Sequence, residues 1–259
     1  MANNKGLGIL GLKGRRALVT GASRGIGAAT ARLLAAAGAD VMVGYRKRER
    51  EAMTVAAELR SMSVTAATCA ADIATAEGAE ALVRAAVSEL GGLDIFVANA
   101  GIWPEEEVAL GDMDAARWHR TIRENLDSIF FTSAAVARSI TDGGRIVLIS
   151  STAGQRGEAY HADYAATKGA VISITKSLAV ELAPRDVTVN CVAPGWVDTE
   201  MVAGAIAGHG IARISDGIPL GRIATPADIA GPVAFLCSPL ARHITGEIVN
   251  VNGGSVLCG

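Results

Sequence analysis

The stretch RALVTGASRGIG, residues 16–27, joins an apolar run to an Ala-rich helical run through closely spaced glycines. Residues 16–20 are apolar in the way that predicts a strand covered on both faces. Glycines at 21, 25 and 27 permit a tight turn and let a phosphate approach the main chain. The N-terminus of the following helix would add free N–H groups and a partial positive charge. The stretch therefore predicts a strand–turn–helix unit that holds a pyrophosphate, although glycine-rich turns of this kind also serve packing.

The same alternation of strand-like and helical runs continues along the whole chain. The predicted strands are residues 16–20, 41–45, 64–70, 93–98, 145–150, 187–192 and 248–251. The predicted helices are residues 25–38, 48–60, 76–90, 114–139, 163–183 and 226–237. Repeated βαβ units favour a parallel sheet with right-handed crossovers. We therefore expect an α/β fold, a Rossmann-like doubly wound parallel sheet of about seven strands with helices on both faces.

The domain prediction is a single unit over residues 1–259, since neither a Pro/Ser-rich linker nor an internal repeat interrupts the pattern. The irregular part is residues 195–223, which are rich in glycine. This connection follows the sixth strand, so it should leave from the carboxyl edge of the sheet, where ligands bind. Long connections inside a compact domain are usually functional. We interpret residues 195–223 as a substrate lid, with a passive surface excursion as the alternative.

Composition and charge narrow the possible partners. Half of the residues are hydrophobic, 19% are charged, and the formal net charge is −2. This balance gives no reason to expect nucleic acid or an anionic membrane as partner. The four cysteines, at positions 69, 191, 237 and 258, lack CxxC spacing, so no metal site is expected. Without an apolar leader or a run of roughly 18 apolar residues, the sequence predicts a cytoplasmic protein.

A second motif, YAATK, places Tyr164 and Lys168 four residues apart, with Ser151 thirteen residues before the tyrosine. On a helix this spacing puts the phenol and the ammonium on one face. A neighbouring cation lowers the pKa of a tyrosine from its ordinary value of about 10. We therefore expect Tyr164 to act as a proton donor and acceptor near neutral pH. Chance spacing is the alternative, and Ser150 and Tyr160 are rivals for the serine and the tyrosine.

The end of the second strand bears on the choice of nicotinamide cofactor. NAD-selective sites usually carry an acid there. This chain has Gly44-Tyr45-Arg46 instead, and Asp40 stands at the opposite end of the strand. With Arg46 and Arg24 available for a 2′-phosphate, we expect NADP(H) to be preferred, with NAD(H) possible.

Three further features stand at comparable places. Asn99-Ala100-Gly101 ends the fourth strand, Asn125 lies in a helical segment, and Pro194-Gly195 ends the sixth strand. Together with TGASRGIG, Ser151 and YAATK, this pattern resembles the short-chain dehydrogenase/reductase family over nearly the whole chain. The turn, SSTAG, VAPGWVDTEM and ITGEIVNVNGG are most similar to segments of 3-oxoacyl-[acyl-carrier-protein] reductases.

The resemblance implies four catalytic roles. Tyr164 would protonate the carbonyl oxygen as hydride arrives, and Lys168 would lower its pKa and bind the nicotinamide ribose. Ser151 would donate a hydrogen bond to the substrate oxygen. Asn125 would hold a water through which protons reach solvent. The implied cofactor contacts, including the two catalytic groups, are Gly21, Ser23, Arg24, Gly25, Ile26, Gly27, Tyr45, Arg46, Asp72, Ile73, Asn99, Ala100, Gly101, Tyr164, Lys168, Pro194, Gly195, Val197 and Thr199.

The resemblance also implies an assembly and a set of reactions. Its members pair two helices, here those of Asn125 and Tyr164, so a homotetramer is expected. The first functional hypothesis is reduction of a ketone, plausibly a 3-oxoacyl thioester. The second is oxidation of a sugar, polyol, steroid or other small secondary alcohol, and the third is nucleotide sensing without turnover. An acyl carrier partner would need a basic patch, for which Arg123, Arg138 and Arg222 are candidates.

Overall fold

A computed structural model describes residues 4–257 and contains one seven-stranded parallel sheet. Its strands are β1 (Arg16–Thr20), β2 (Asp40–Tyr45), β3 (Ala66–Ala70), β4 (Ile95–Ala98), β5 (Arg145–Ile149), β6 (Thr188–Pro194) and β7 (Ile248–Val251). Their order across the sheet is β3-β2-β1-β4-β5-β6-β7. The chain thus builds outward from β1 in one direction and from β4 in the other, which confirms the doubly wound sheet.

Ten α-helices connect and cover these strands within the described residues. They are α1 (Gly25–Ala36), α2 (Glu49–Arg60), α3 (Ala76–Leu90), α4 (Ala115–Ile122), α5 (Ser128–Ser139), α6 (Thr152–Arg156), α7 (Ala162–Leu182), α8 (Ala203–His209), α9 (Ile211–Asp216) and α10 (Pro226–Leu236). A π-helical segment, Arg123–Asp127, joins α4 to α5, so the predicted helix over 114–139 is not uniform. None of the helices in residues 4–257 is both long enough and apolar enough to cross a membrane.

The strands are apolar throughout because both faces of the sheet are covered. Along β1, Ala17 and Val19 pack into one core and Leu18 into the other. The first core lies between the sheet and α1, α2 and α10, and the second between the sheet and α3, α5 and α7. Successive side chains of a strand point to opposite faces, so a strand at the centre needs apolar residues at every position.

Two predicted strands begin later than expected. The third starts at Ala66 instead of residue 64, because Ser63 adopts a left-handed turn with φ of 66°. The fourth starts at Ile95 instead of residue 93. Just before it, the Asp94 side chain accepts hydrogen bonds from the side chain of Arg16, at 2.7 and 3.0 Å.

The lid segment, residues 195–223, is more ordered than the sequence suggested. It contains α8 and α9, which were not predicted because the segment is rich in glycine. Ile206, Ile214 and Ile218 are buried together there, with Trp196 packed against them. Apolar residues at helical spacing give these short helices a common buried face. The residues outside the described range, 1–3 and 258–259, include the position of Cys258.

Candidate active site

An open cleft of about 380 Å³ runs along the carboxyl edge of the sheet. It lies at the carboxyl ends of the neighbouring strands β1 and β4, the point at which the strand order reverses. Ligands of doubly wound sheets bind in this crevice, because successive crossovers leave to opposite faces there. Residues from the ends of β1, β2, β4, β5 and β6 line it.

The glycine turn after β1 forms one wall of the cleft. Gly21 and Gly25 have φ of 63° and 54°, a region that other residues rarely adopt. A side chain on Gly27 would collide with the carbonyl of Gly21 and the amide of Asn99. These constraints keep the main chain bare at the start of α1. A bare helix N-terminus beside an open cleft fits a nucleotide pyrophosphate.

The end of β4 is tied directly to this turn. The Thr20 hydroxyl accepts hydrogen bonds from the backbone N–H groups of Asn99 and Ala100, at 3.0 and 3.1 Å. In return the Asn99 amide donates to the carbonyls of Thr20 and Gly21, at 3.0 and 3.3 Å. Asn99 therefore holds the phosphate-binding turn in shape, a structural task beside the cofactor contact predicted for it.

The expected catalytic group gathers at the opposite end of the cleft. Tyr164 and Lys168 lie on one face of α7, with the Lys168 ammonium 5.7 Å from the centre of the tyrosine ring. The ammonium donates to the carbonyl oxygen of Ile149 at 2.9 Å. The Ser151 hydroxyl lies close enough to the Tyr164 hydroxyl to lower the pKa of the phenol. Two hydroxyls and an ammonium thus converge where β5 ends.

The two serines after β5 are distinguished by their partners. The Ser150 hydroxyl is buried and donates to the Lys168 carbonyl at 2.7 Å, which fixes α7 to the sheet. Ser151 caps α6, accepting from the Ala153 N–H at 3.2 Å. Of the two serines, Ser151 is the one whose hydroxyl acts on the pKa of Tyr164.

The pKa values of this group differ from the sequence-based expectation. Burial raises the pKa of Tyr164 to about 12; the hydrogen bond from Ser151 opposes the shift and the Glu158 carboxylate adds to it. Burial also lowers the pKa of Lys168 to about 8. The expected depression of the Tyr164 pKa by Lys168 was therefore wrong for the protein's own groups. Desolvation disfavours both charged forms and is the largest cause of each shift.

Asn125 occupies the π-helical segment between α4 and α5 and is fully buried. Its side chain accepts from the Ile102 N–H at 2.7 Å and donates to the Ile102 carbonyl at 3.0 Å. A π-turn inserts a residue into a helix and often marks a functional site. Here it turns the Asn125 amide toward the loop after β4. The predicted water-holding role is untested, and the observed task is to anchor that loop.

Several ion pairs lie at the end of the cleft beside β2. We call it the adenosine end, because the adenosine of a nucleotide is predicted to bind there. Arg46 contacts the two carboxylate oxygens of Glu124 at 2.7 and 2.6 Å. It also lies 3.8 Å from Asp72, which Arg123 approaches to 2.5 Å. Arg46 was predicted to bind a phosphate, and such a phosphate would compete with these two carboxylates.

A second ionic cluster links the lid to the glycine turn. The Glu200 carboxylate accepts from Arg24 at 2.7 Å and lies 3.2 Å from Arg48. Nearby, the methyl group of Thr199 lies where it would touch a side chain on Gly25, 3.4 Å away. The first residues of segment 195–223 therefore rest on the glycine turn.

Comparison with known proteins agrees with this geometry. The model of a family described as enoyl-(acyl carrier protein) reductase matches residues 21–255. The 3-oxoacyl-[acyl-carrier-protein] reductase FabG of Vibrio cholerae serotype O1 is 42% identical over 247 residues, 95% of this chain and 98% of the relative. The chain belongs to the short-chain dehydrogenase/reductase family. It is an oxidoreductase of that family.

Solved structures of the short-chain dehydrogenase/reductase family share the fold closely. A glucose/ribitol dehydrogenase of this family from Brucella melitensis has a TM-score of 0.89 and 37% identity, with 95% of this chain and 98% of that chain covered. A short chain dehydrogenase from Burkholderia cenocepacia in complex with NADP has a TM-score of 0.87 and 38% identity, with 94% and 98% covered.

The structure brings together most of the residues that the family resemblance selected. Every predicted site residue lines the cleft except Gly27 and Asn125, which stand directly behind its wall. Sequence reasoning missed several lining residues: Arg48, Trp103, Glu124, Arg156, Glu158, Trp196 and Glu200. Trp103 stands two residues after Gly101 and Trp196 directly after Gly195, both at the ends of recognised motifs, so their positions could have been predicted. The acids gave no such signal, because a lone Glu in a loop is usually solvated.

The three candidate docking arginines are each engaged by acids. Arg123 contacts Asp72 and Glu124, Arg138 lies 3.2 Å from Glu80, and Arg222 forms two hydrogen bonds with Asp228. Partnered in this way, they present less net positive charge than the sequence suggested.

Proposed function

We propose that this protein is an NADP(H)-dependent oxidoreductase that transfers hydride between the nicotinamide and a ketone or secondary alcohol. Convergence of the Ser151 and Tyr164 hydroxyls with the Lys168 ammonium, in the same cleft as a bare glycine turn, carries the proposal. Such hydroxyls suit a carbonyl oxygen that gains negative charge as its carbon is reduced. A family relative bound to NADP supports the choice of cofactor.

The chain's own groups can perform the acid–base part of this reaction. Bound nicotinamide supplies the hydride for reduction and accepts it in the reverse direction. The carbonyl oxygen would take its proton from the Tyr164 hydroxyl while Ser151 donates a hydrogen bond to the same oxygen. Lys168 would stabilise the phenolate that remains. With its pKa near 12, Tyr164 is protonated at neutral pH, which favours the role of acid and hence reduction.

For the substrate, we infer a ketone of the 3-oxoacyl thioester type. The similarity to FabG over 95% of the chain supports this assignment. Residues 195–223 would form the substrate lid of one domain, since Trp196 and Val202 line the cleft and also pack against the apolar cluster that includes Ile206 of α8 and Ile214 of α9. Oxidation of a sugar or polyol is the second candidate, supported by the likeness to a glucose/ribitol dehydrogenase.

A homotetramer in the cytoplasm completes the proposal. Phe130 on α5 and Val180 on α7 are 55% and 76% exposed, although both are large and apolar. Exposed apolar residues on the two helices that the family resemblance selects are suited to a subunit interface. The cytoplasmic location stays a prediction from the sequence.

Loss of NADPH absorbance with a panel of substrates tests the proposed reaction. The panel contains a 3-oxoacyl thioester, the corresponding enoyl thioester, a simple cyclic ketone and a keto sugar, each with NADPH and with NADH. We expect the oxo compounds to be reduced and the enoyl thioester to be left intact, because Ser151 and Tyr164 converge on an oxygen. Turnover of the enoyl thioester alone would overturn the ketone assignment, and turnover of the keto sugar alone would overturn the 3-oxoacyl substrate.

A further inference from the structure

The loop after β4 presents Trp103 as one wall of the cleft. The indole stacks on His161, with ring centres 4.1 Å apart, and meets the Tyr164 ring edge-on at 4.8 Å. Trp196, from the start of the lid, lies 6.2 Å away on another side. Trp103 therefore stands at the centre of a four-ring cluster that includes the expected proton donor.

Backbone contacts on both sides hold Trp103 in this position. The segment around it, residues 102–106, is here called the Trp103 loop. Asn125 binds both backbone groups of Ile102, and the His161 ring is hydrogen-bonded through Nε2 to the Pro104 carbonyl at 3.0 Å. Asn125 and His161 are 0% and 4% exposed, so these anchors are shielded from competing water.

A buried ion pair fixes the far end of the Trp103 loop. Arg117 donates to the Glu106 carbonyl at 2.6 Å, and its guanidinium also pairs with Asp163 at 3.2 Å. Asp163 is fully buried, immediately precedes Tyr164 and accepts a second hydrogen bond from Thr121 at 2.7 Å. One ionic contact thus ties the loop to the helix turn that carries the phenol.

These contacts make the indole a rigid wall instead of an adaptable one. Ile102 and Trp196, which lie beside it, also line the cleft and are apolar. Sugar hydroxyls against such a wall would lose hydrogen bonds to water without regaining them. A flexible alkyl chain would lose rotamer freedom on the flat surface, whereas a ring loses little. Aromatic pairs add further attraction beyond the area that they bury.

We propose that Trp103 is a specificity-determining residue, and that the preferred substrates are 3-oxo compounds with a planar ring on the ketone carbon. This inference rests on the proposed ketone reduction and names its substrate class. The ring would lie against the indole while the ketone oxygen meets Ser151 and Tyr164.

Two 3-oxo esters, identical except for a phenyl or a propyl group on the ketone carbon, test the inference. We expect the wild-type kcat/KM to be higher for the phenyl ester. Trp103→Leu should lower the phenyl-to-propyl ratio about fivefold, which corresponds to about 1 kcal/mol, a usual value for an aromatic pair. Trp103→Phe should keep most of the ratio. Trp118→Leu is the matched control, because Trp118 does not line the cleft.

Calorimetry keeps the test independent of turnover. Binding of the phenyl ester to protein saturated with NADP+ should weaken about fivefold in Trp103→Leu and change little in Trp103→Phe. A wild-type preference for the propyl ester, or an unchanged ratio and affinity in Trp103→Leu, would overturn the role of Trp103. If the wild type reduces neither ester, the proposed function fails, and the binding experiment still decides whether Trp103 selects a ring.

Discussion

The two ends of the cleft are built from different kinds of contact. At the adenosine end, Arg24, Arg46 and Arg48 meet acids on a surface where their side chains are 35–41% exposed. At the carbonyl end, Lys168 and Asn125 are 4% and 0% exposed, and each has a fixed backbone partner. Exposed ion pairs are weak and exchange partners readily, while buried polar contacts are costly to break.

This contrast matches the tasks that we propose for the two ends. A site that binds a phosphate must release one anion and accept another, so exposed cations with exchangeable partners suit it. A site for proton transfer needs donors that already point at the reacting oxygen, since reorganising them during the reaction would raise the barrier. The comparison can be tested by perturbing each end separately.

The largest expected effect is at the carbonyl end. Tyr164→Phe removes the proposed proton donor and should lower kcat by roughly 10²-fold or more, the usual scale for acid–base catalysis. The dissociation constant of NADPH, measured by calorimetry, should stay nearly unchanged. Tyr160→Phe is the matched control, because Tyr160 is 55% exposed and should leave kcat intact. Retained activity in Tyr164→Phe would mean that another group donates the proton.

Next in size is the ion pair beneath the Trp103 loop. Asp163→Asn leaves the largely buried Arg117 without a charged partner and should lower the free energy of unfolding by about 3–5 kcal/mol. Urea denaturation measures this loss. Glu80→Gln, which weakens the exposed pairs with Arg84 and Arg138, should cost about 0–1 kcal/mol. Equal losses in the two variants would contradict the distinction between buried and exposed pairs.

Lys168 should make the free energy of unfolding depend on pH. Burial lowers the pKa of Lys168 to about 8, whereas the unfolded chain has an ordinary lysine value. Between the folded and unfolded pKa values of Lys168, the unfolded state binds more protons than the folded state, so the free energy of unfolding of the wild type rises with pH. Below the folded pKa, the folded protein bears the whole free-energy cost of burying the charged lysine. Lys168→Met should lack this contribution.

The measurement compares unfolding free energies at about pH 7 and about pH 10. The unfolding free energy of Lys168→Met minus that of the wild type should be roughly 2–3 kcal/mol lower at the higher pH than at the lower pH, because a pKa shift contributes about 1.4 kcal/mol per unit. Lys176→Met, an exposed change in the same helix, provides the control. A difference that does not vary with pH would mean that Lys168 keeps its ordinary pKa.

The smallest expected effect is at the adenosine end. Glu200→Gln removes the carboxylate that Arg24 and Arg48 share, which leaves Arg24 available to a 2′-phosphate while Arg48 keeps its contact with Glu51, 3.4 Å away. The affinity ratio of NADP+ to NAD+ should rise by about two- to fivefold, the scale of an exposed ion pair, and more at low salt. Glu89→Gln, far from the cleft, should leave the ratio unchanged. A ratio that falls in Glu200→Gln would reverse the proposed competition.

Some elements of the backbone could be predicted from the sequence and others could not. The strands of residues 16–20 and 248–251 were predicted to the residue, because apolar runs bounded by turn residues are a local signal. The π-turn at Asn125 and the helices of the lid were missed. A π-turn depends on what its inserted residue can bond to, here Ile102, which lies 23 residues earlier in the chain.

The site divides in the same way. Gly21, Ser151, Tyr164 and Lys168 could be selected because their spacing within short motifs carries the chemistry. The partners of Arg46 could not, since Glu124 lies 78 residues away along the chain. The direction of the Tyr164 pKa shift was also beyond reach, because it depends on how tightly the folded protein surrounds the phenol.

By itself the sequence determined the parallel sheet and predicted the edge at which ligands bind and the candidate reactive groups, because hydrophobic period and motif spacing act over a few residues. Only the tertiary structure decided the electrostatic state of those groups, the acids that compete for the arginines, and the wall made by Trp103. These depend on desolvation and on contacts between residues that are distant in the chain, and local sequence patterns reveal neither.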